Sequence, residues 1–277
     1  MRALQAAPLL LITCSALLLG PAPAHAKKPK AAPKSAARST QAAPVRRTAQ
    51  PGARELVVKY LEAIGGEAAR SVQSRLALGT VEQLPAAPGS VSRTWKLELA
   101  WKAPARAREV WLDDKGGRIR RSFDGTGDQG GWVVGPEIKK RRLRQSERVE
   151  LVRLAALYQP AAMMPLDELV LDHRDAVNGH AAAVLKVKSG EQLWLDAATG
   201  LPLRLDLLAD NPAPDRAGEF YFSQVYFEDW RFVGAALLPH TIRRVLVDQT
   251  LTWRLTDVKN DAELPDRLFK KPYFWRG

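Results

Sequence analysis

The chain has 277 residues, with 42 Lys and Arg against 30 Asp and Glu, a formal charge of +12 and one cysteine, Cys14. The charge suggests a nucleic-acid ligand only until it is located: residues 1–54 hold nine Lys or Arg and no acid, leaving +3 for the rest. That balance excludes a nucleic-acid partner, and a lone cysteine excludes a disulfide framework within the chain.

The first residues, MRALQAAPLLLITCSALLLGPAPAHA, carry one cation at Arg2, an apolar run from Pro8 to Gly20 and a small-x-small site at Ala24-His25-Ala26. They read as a secretory signal peptide over residues 1–26, with an apolar run too short for a membrane span. Cleavage after Ala26 would place a soluble chain starting at Lys27 in the periplasm. A lipidated Cys14 fits less well, because the apolar run continues past it and Thr13 is a poor residue before such a cut. Without Cys14 the mature chain has no thiol chemistry. Residues 27–53, rich in Lys, Ala, Pro and Arg, have almost nothing to bury and should be disordered. They form either a solvated linker or a tether to anionic envelope surface. The folded domain is expected over residues 54–277.

Two helices are expected. In RELVVKYLEAIGGEAARSV, Leu56, Val57, Tyr60, Leu61 and Ile64 make one apolar stripe, interrupted at Gly65-Gly66. A second helix is expected across residues 139–160, with Lys139, Lys140, Arg141, Arg142 and Arg144 as a basic first turn and Pro160 as its end. Nearly everything else alternates with period two. Trp95, Leu97, Leu99 and Trp101 face one way, and Lys96, Glu98 and Lys102 the other. Similar runs recur to LTWRLTDV, separated by turn signals such as Lys115-Gly116-Gly117, Asn178-Gly179 and Thr199-Gly200. This pattern predicts a mainly β (α+β) fold: one large, curved antiparallel sheet with helices packed on one face.

FDGTGDQGGWVVGP contains G-x-G-x-x-G at Gly125, Gly127 and Gly130. A dinucleotide loop needs a helix to follow it, whereas GWVVGP is short, rich in strand formers and closed by Gly135-Pro136. It reads as a turn between antiparallel strands, and no cofactor is expected. His173, His180 and His240 lack metal-ligand spacing, and no G-x-S-x-G is present. Asp113-Asp114 and Glu228-Asp229 are adjacent strand or turn residues and cannot flank one bond. Asp124 and Asp128 lack the further ligands of a calcium loop. The chemistry of an enzyme is missing. Eight tryptophans stand out instead, seven in strand runs, enough to pack a core or to line an apolar cavity.

Several segments then resemble the LolA/LolB-like outer-membrane lipoprotein-sorting superfamily. DGTGDQGGWVVGP resembles its strand-turn-strand with a Trp. VNGHAAAVLKVKSGEQLWLDAATGLPLRLD is similar to its strand pair turning at Asp-x-x-Thr-Gly, matched by Asp196, Thr199, Gly200, Leu201 and Arg204. FEDWRFVGAALLPHTIRR is similar to the segment that follows, with Asp229, Gly234, Leu238, Pro239 and Ile242 in place. The opening VVKYLEAIGGEAARSVQSRLALGTVE matches the usual first helix and first strand. The resemblance implies an unclosed β-barrel with helices against its mouth, and an apolar interior for acyl chains of lipids or lipoproteins. The expected function is a monomeric, non-enzymatic carrier or sensor. Its lining would be Trp95, Leu97, Leu99, Trp101, Leu193 and Leu195, with Trp132 near the mouth. An envelope protein with a filled core and a functional basic tail is the alternative.

Overall fold

The computed structural model describes residues 52–127, 130–136, 138–163, 165–210 and 220–270. The signal peptide, nearly all of the basic tail, Asp128 and Trp275 lie outside the described residues. In chain order the elements are α1 (Ala53–Ala63), α2 (Gly66–Arg70), β1 (Ser74–Pro85), β2 (Arg93–Lys102), β3 (Arg106–Leu112), β4 (Arg118–Phe123), β5 (Gly131–Val134) and β6 (Arg141–Arg142). Then follow α3 (Gln145–Ala155), α4 (Pro160–Met163), β7 (Val170–Val177), β8 (His180–Lys186), β9 (Gln192–Asp196), β10 (Pro202–Asp210), β11 (Phe220–Val233), β12 (Ala236–Val245) and β13 (Gln249–Asn260).

Alternating residues that cannot all be solvated drive these strands into one antiparallel sheet, ordered β6-β5-β4-β3-β2-β1-β13-β12-β11-β10-β9-β8-β7. It is a pair of meanders, β1–β6 and β7–β13, joined where the first and last strands pair. The sheet does not close on itself: β6 and β7 are its two edges. These edge strands are consecutive in sequence, so the segment between them, with α3 and α4, links the two edges of the sheet. The open half-barrel with helices across it is thus present. Among the described residues no helix is long and apolar enough to cross a membrane.

Hairpin chemistry fixes the registers. Asn178 and Gly179, at φ 51° and 84°, turn the chain between the paired Val177 and His180. The G-x-G-x-x-G loop joins antiparallel β4 and β5, with Phe123 opposite Gly131, so a strand and not a helix follows it. Asp124 accepts the Thr126 N–H at 2.9 Å, and Asp113 accepts the N–H groups of Lys115 and Gly117 at 2.9 and 2.6 Å. Both aspartates serve their turns.

The second helix is shorter than its sequence pattern. Arg141 and Arg142 pair with Val133 and Trp132 as β6, which takes the backbone of the basic run away from the helix. The helix begins where Glu147 accepts the Arg144 N–H at 2.7 Å, half of a capping box. It ends at Ala155, because Leu157 and Tyr158 adopt φ of 51° and 53°. This left-handed pair is held by burial of both side chains in the core. Pro160 opens α4 rather than closing α3, the position where its fixed φ suits a helix.

The seam between β1 and β13 requires close backbone contact at one residue, Gly79. Pairing between β1 and β13 shifts register at Leu78 and Gly79, bypassing Thr256. A Cβ on Gly79 would overlap the Arg254 carbonyl in the neighbouring strand and lie 2.9 Å from Leu255 Cα. Gly79→Ala should therefore cost about 1–3 kcal/mol, as overpacking does. Thermal unfolding would read this as a lowered melting temperature, and an unchanged value would remove the assigned role.

Candidate functional site

The helix-covered inner face carries the main core. Ala77 and Val81 of β1, Leu97 and Leu99 of β2, Leu193 and Leu195 of β9, Leu205, Val225, Ile242 and Trp253 pack with Leu56 and Tyr60 of α1 and Leu154 of α3. Trp95 is half-buried against this cluster, its ring 5.3 Å from that of Trp111. Trp101 is buried in an adjoining cluster with Val133 and with Leu151 and Ala155 of α3. Six of the seven sequence-designated positions thus share the inner face. Leu99, Leu193 and Leu195 have no exposed surface. Trp132 lies on the outer face, because its neighbour Val133 is the residue that points under α3.

Three charged residues of α3 point at the sheet. Glu147 pairs with Arg141 on β6 through two hydrogen bonds of 2.7 and 2.6 Å. Glu150 pairs with Arg244 on β12 and lies 3.7 Å from Arg121 on β4. Arg153 meets Glu191, in the turn before β9, at 3.1 Å. These residues recur every third position and lie on one side of the helix. Around Glu150 the network is largely buried: Glu109, Ser223 and Arg244 are buried, and Glu150 and Arg121 are partly so. Arg121 also pairs with Glu109 of β3, and Glu109 accepts the Trp253 indole N–H at 3.1 Å. Arg244 donates to the Ser223 hydroxyl at 3.1 Å, and Ser223 donates to the Leu207 carbonyl at 3.4 Å. At the far end Arg75, fully buried, donates to the Ala156 carbonyl at 2.6 Å, a cation on the helix C-terminus.

Burial by itself would raise the Glu150 pKa, but the charges of Arg244 and Arg121 outweigh it and the net shift is downward. Burial also works against the Arg244 charge, and Glu150 more than restores it. The pair is ionised at neutral pH. Removing one member would leave the other charge buried without compensation.

The first helix is held differently. Lys59 donates to the Ala197 and Ala198 carbonyls, both at 2.8 Å. These belong to the Asp-x-x-Thr-Gly turn, where Asp196 accepts the Ala198 and Thr199 N–H groups at 2.9 and 2.7 Å. The motif therefore builds a tight turn whose outward carbonyls anchor α1. Gly65 brings the α1–α2 corner against the β11–β12 turn, where the Leu237 N–H donates to Ile64 at 2.9 Å.

Two clefts flank α3, and Val149 and Arg153 line both. One, of about 570 Å³, lies between α3 and the ends of β10–β13, with Leu207, Ala209, Tyr221 and Leu246 on its wall. The other, of about 620 Å³, is bounded by Leu61, Pro160, Met163 and Leu166 and is the more apolar. Both fall within the size of small-ligand sites, about 300–1,000 Å³. Among the described residues no cluster of His, Cys, Asp or Glu could hold a metal ion. His240 is buried 3.3 Å from the Leu238 carbonyl, and His173 contacts Asp172 at 2.9 Å.

An open antiparallel half-barrel with helices across its inner face is the LolA-like fold. No protein-family model and no curated protein matches the sequence. Among solved structures, the chain is similar to a LolA superfamily protein from Nitrosomonas europaea, with a TM-score of 0.52 and 15% identity, over 81% of this chain and 100% of that one. It is also similar to a DUF1329 family protein from Desulfovibrio piger, with a TM-score of 0.50 and 14% identity, over 79% of this chain and 97% of that one. At such identity the likeness establishes the fold, and on that level the resemblance seen in the sequence is borne out.

The lowered Glu150 pKa leads to an expected loss of stability in acid. A carboxylate with a lowered folded pKa contributes fully above its unfolded value, about 4.3, and the contribution is lost as pH falls through the folded value. Glu150→Gln should cost about 3 kcal/mol at pH 7 by stranding Arg244. It should also flatten the loss of melting temperature between pH 5 and pH 3. Equal slopes in the variant and the wild type would place the acid sensitivity elsewhere.

Proposed function

We infer that the chain is an exported, non-enzymatic carrier or sensor of a lipid-like ligand, such as the acyl chain of a lipid or lipoprotein. The observation that carries the reading is the way α3 divides the mouth. Its charged side grips the sheet; a mainly apolar cleft of ligand size runs along one flank, and a cleft with an apolar wall and a charged rim runs along the other. An acyl chain laid against Leu61, Val149, Met163 and Leu166 would gain roughly 25 cal/mol for each Å² of apolar surface removed from water. The LolA-like fold supports the same class of function. Leu97, Leu99, Leu193 and Leu195 would then form the wall behind the helices, reached only when α1 or α3 moves aside. Trp95, at the half-buried rim of that wall, and Trp101, under α3, would be met at the same stage. Trp132, on the outer face, would not touch a ligand held there.

The second reading, an envelope protein with a filled core, draws on the complete burial of Leu99, Leu193 and Leu195. Residues 27–53 would then carry the function as a tether. Titration with a fatty acid and a lysolipid separates the two. The carrier should show a saturable change in Trp fluorescence and a rise in melting temperature by mass action. Val149→Glu, at an exposed position shared by both clefts, should abolish that binding at a stability cost of about 0.5 kcal/mol or less. Leu99→Glu should instead destabilise by several kcal/mol, because it buries an unpaired carboxylate in a closed core. A flat titration with every lipid class, alongside a folded Val149→Glu, would leave the filled-core reading standing.

A further inference from the structure

The outer face of the sheet between β2 and β6 carries an array of cations that the inner face does not explain. Register places Arg108, Ser122, Trp132 and Arg142 in one row across β3, β4, β5 and β6. The next row holds Glu98, Val110, Arg120 and Val134, and the one beyond it Lys96, Leu112 and Arg118. Lys140, in the loop before β6, and Arg142 both stand over the Trp132 ring, at 5.5 and 5.6 Å from its centre. Opposing carboxylates are few. Glu98 pairs with Arg108 at 2.7 Å, and Asp113 is occupied by its turn. The C-terminal segment covers part of this face, Asp266 pairing with Lys102 and Arg106 at 2.8 and 2.6 Å and the Leu268 and Lys270 carbonyls accepting from Arg120 at 2.9 and 3.1 Å. Among the described residues Lys96, Arg118, Lys140 and Arg142 have no ion-pair partner, and all four are exposed. The Arg120 pKa is lowered, first by burial and then by the charges of Arg108 and Arg118, so these cations repel one another within the folded chain. Keeping like charges together on one face costs stability unless a counter-charge arrives.

We propose that this face docks on an anionic lipid surface, with Arg118, Lys140 and Arg142 meeting headgroups and the Trp132 indole lying at the interfacial level. The array favours a surface over a single bound anion, because its cations are spread along a sheet face and line neither cleft. Neither described cleft lies on this face to track a nucleic-acid backbone. An amphipathic indole among surface cations suits the polar boundary of a bilayer. The docking face is on the opposite side of the sheet from the inner core. It therefore stands whether or not a ligand occupies the clefts.

The test is flotation of the full chain with phosphatidylglycerol/phosphatidylcholine vesicles and with phosphatidylcholine vesicles alone. Binding to the anionic vesicles should be at least about tenfold tighter and should fall steeply in 0.5 M salt, roughly the range where Debye screening is a few ångströms. Arg118→Glu/Lys140→Glu/Arg142→Glu should lose about tenfold or more of that affinity. Lys27→Glu/Lys28→Glu/Lys30→Glu, in the basic tail, should keep most of it. Circular dichroism and melting confirm folding of each variant, with Lys140→Gln/Arg142→Gln as a milder replacement should the triple reversal fail to fold. The proposal is overturned if the wild type ignores anionic vesicles or if the outer-face variants bind as the wild type does. It is equally overturned if only the tail variant loses binding, or if the outer-face variants lose affinity for an acidic polypeptide and not for vesicles.

Discussion

One carboxylate joins the two halves of this molecule. Glu150 sits on the helix that links the sheet's edges, and it meets Arg121 from the first meander and Arg244 from the second. Sheet pairing between β1 and β13 holds the halves together along one line only, so the distance across the mouth must be fixed by something else. The helix alone would not fix it, since an apolar stripe can slide on an apolar wall. Charged hydrogen bonds in low dielectric cannot slide without losing their partners. Leu151 and Leu154 supply the burial, and Glu147, Glu150 and Arg153 supply the position.

This division of labour explains why the inner face is both filled and mixed. A wholly apolar interior would hold any helix of the right width. Ionic groups add a requirement for one register, at a desolvation cost that closely packed partners offset only in part. Glu109 illustrates the compromise. It is almost completely buried between Ala107 and Trp111 of its own strand, yet its oxygens are taken by Arg121 and by the Trp253 indole. Arg75 plays the matching part at the other end of α3, where the unpaired carbonyls of a helix terminus need a donor.

Much of the architecture could be read from the sequence, because alternation over eleven short segments leaves little room for another fold class. The Asn178-Gly179 and Thr199-Gly200 turns marked their hairpins through residues suited to left-handed backbone. The site was less legible, for reasons that particular residues show. Glu109 is in phase with Ala107 and Trp111, and Arg121 with Ile119 and Phe123, so each charge sat hidden inside an apolar stripe. Arg243 and Arg244 are adjacent, and only pairing with β11 decides which one turns inward. In GWVV the Trp and both Val are apolar, so periodicity could not choose the face of Trp132. The basic run at residues 139–144 looked helical until β5 claimed two of its arginines as a partner strand.

The seam between the first and last strands also sets an order of events. Arg75 and Asn260 are register partners 185 positions apart, so β1 cannot be paired on that side until nearly the whole domain is available. Until then the first meander ends in a twelve-residue strand with an open row of backbone donors and acceptors. The finished sheet has no such liability. Its terminal strands are two arginines at one end and, at the other, a strand studded with Asp172, His173, Arg174 and Asp175. The long hydrogen-bonding edge is concealed in the middle of the completed molecule. Its exposure is confined to the partly synthesised or partly folded chain, where intermolecular pairing competes with arrival of the C-terminal strand.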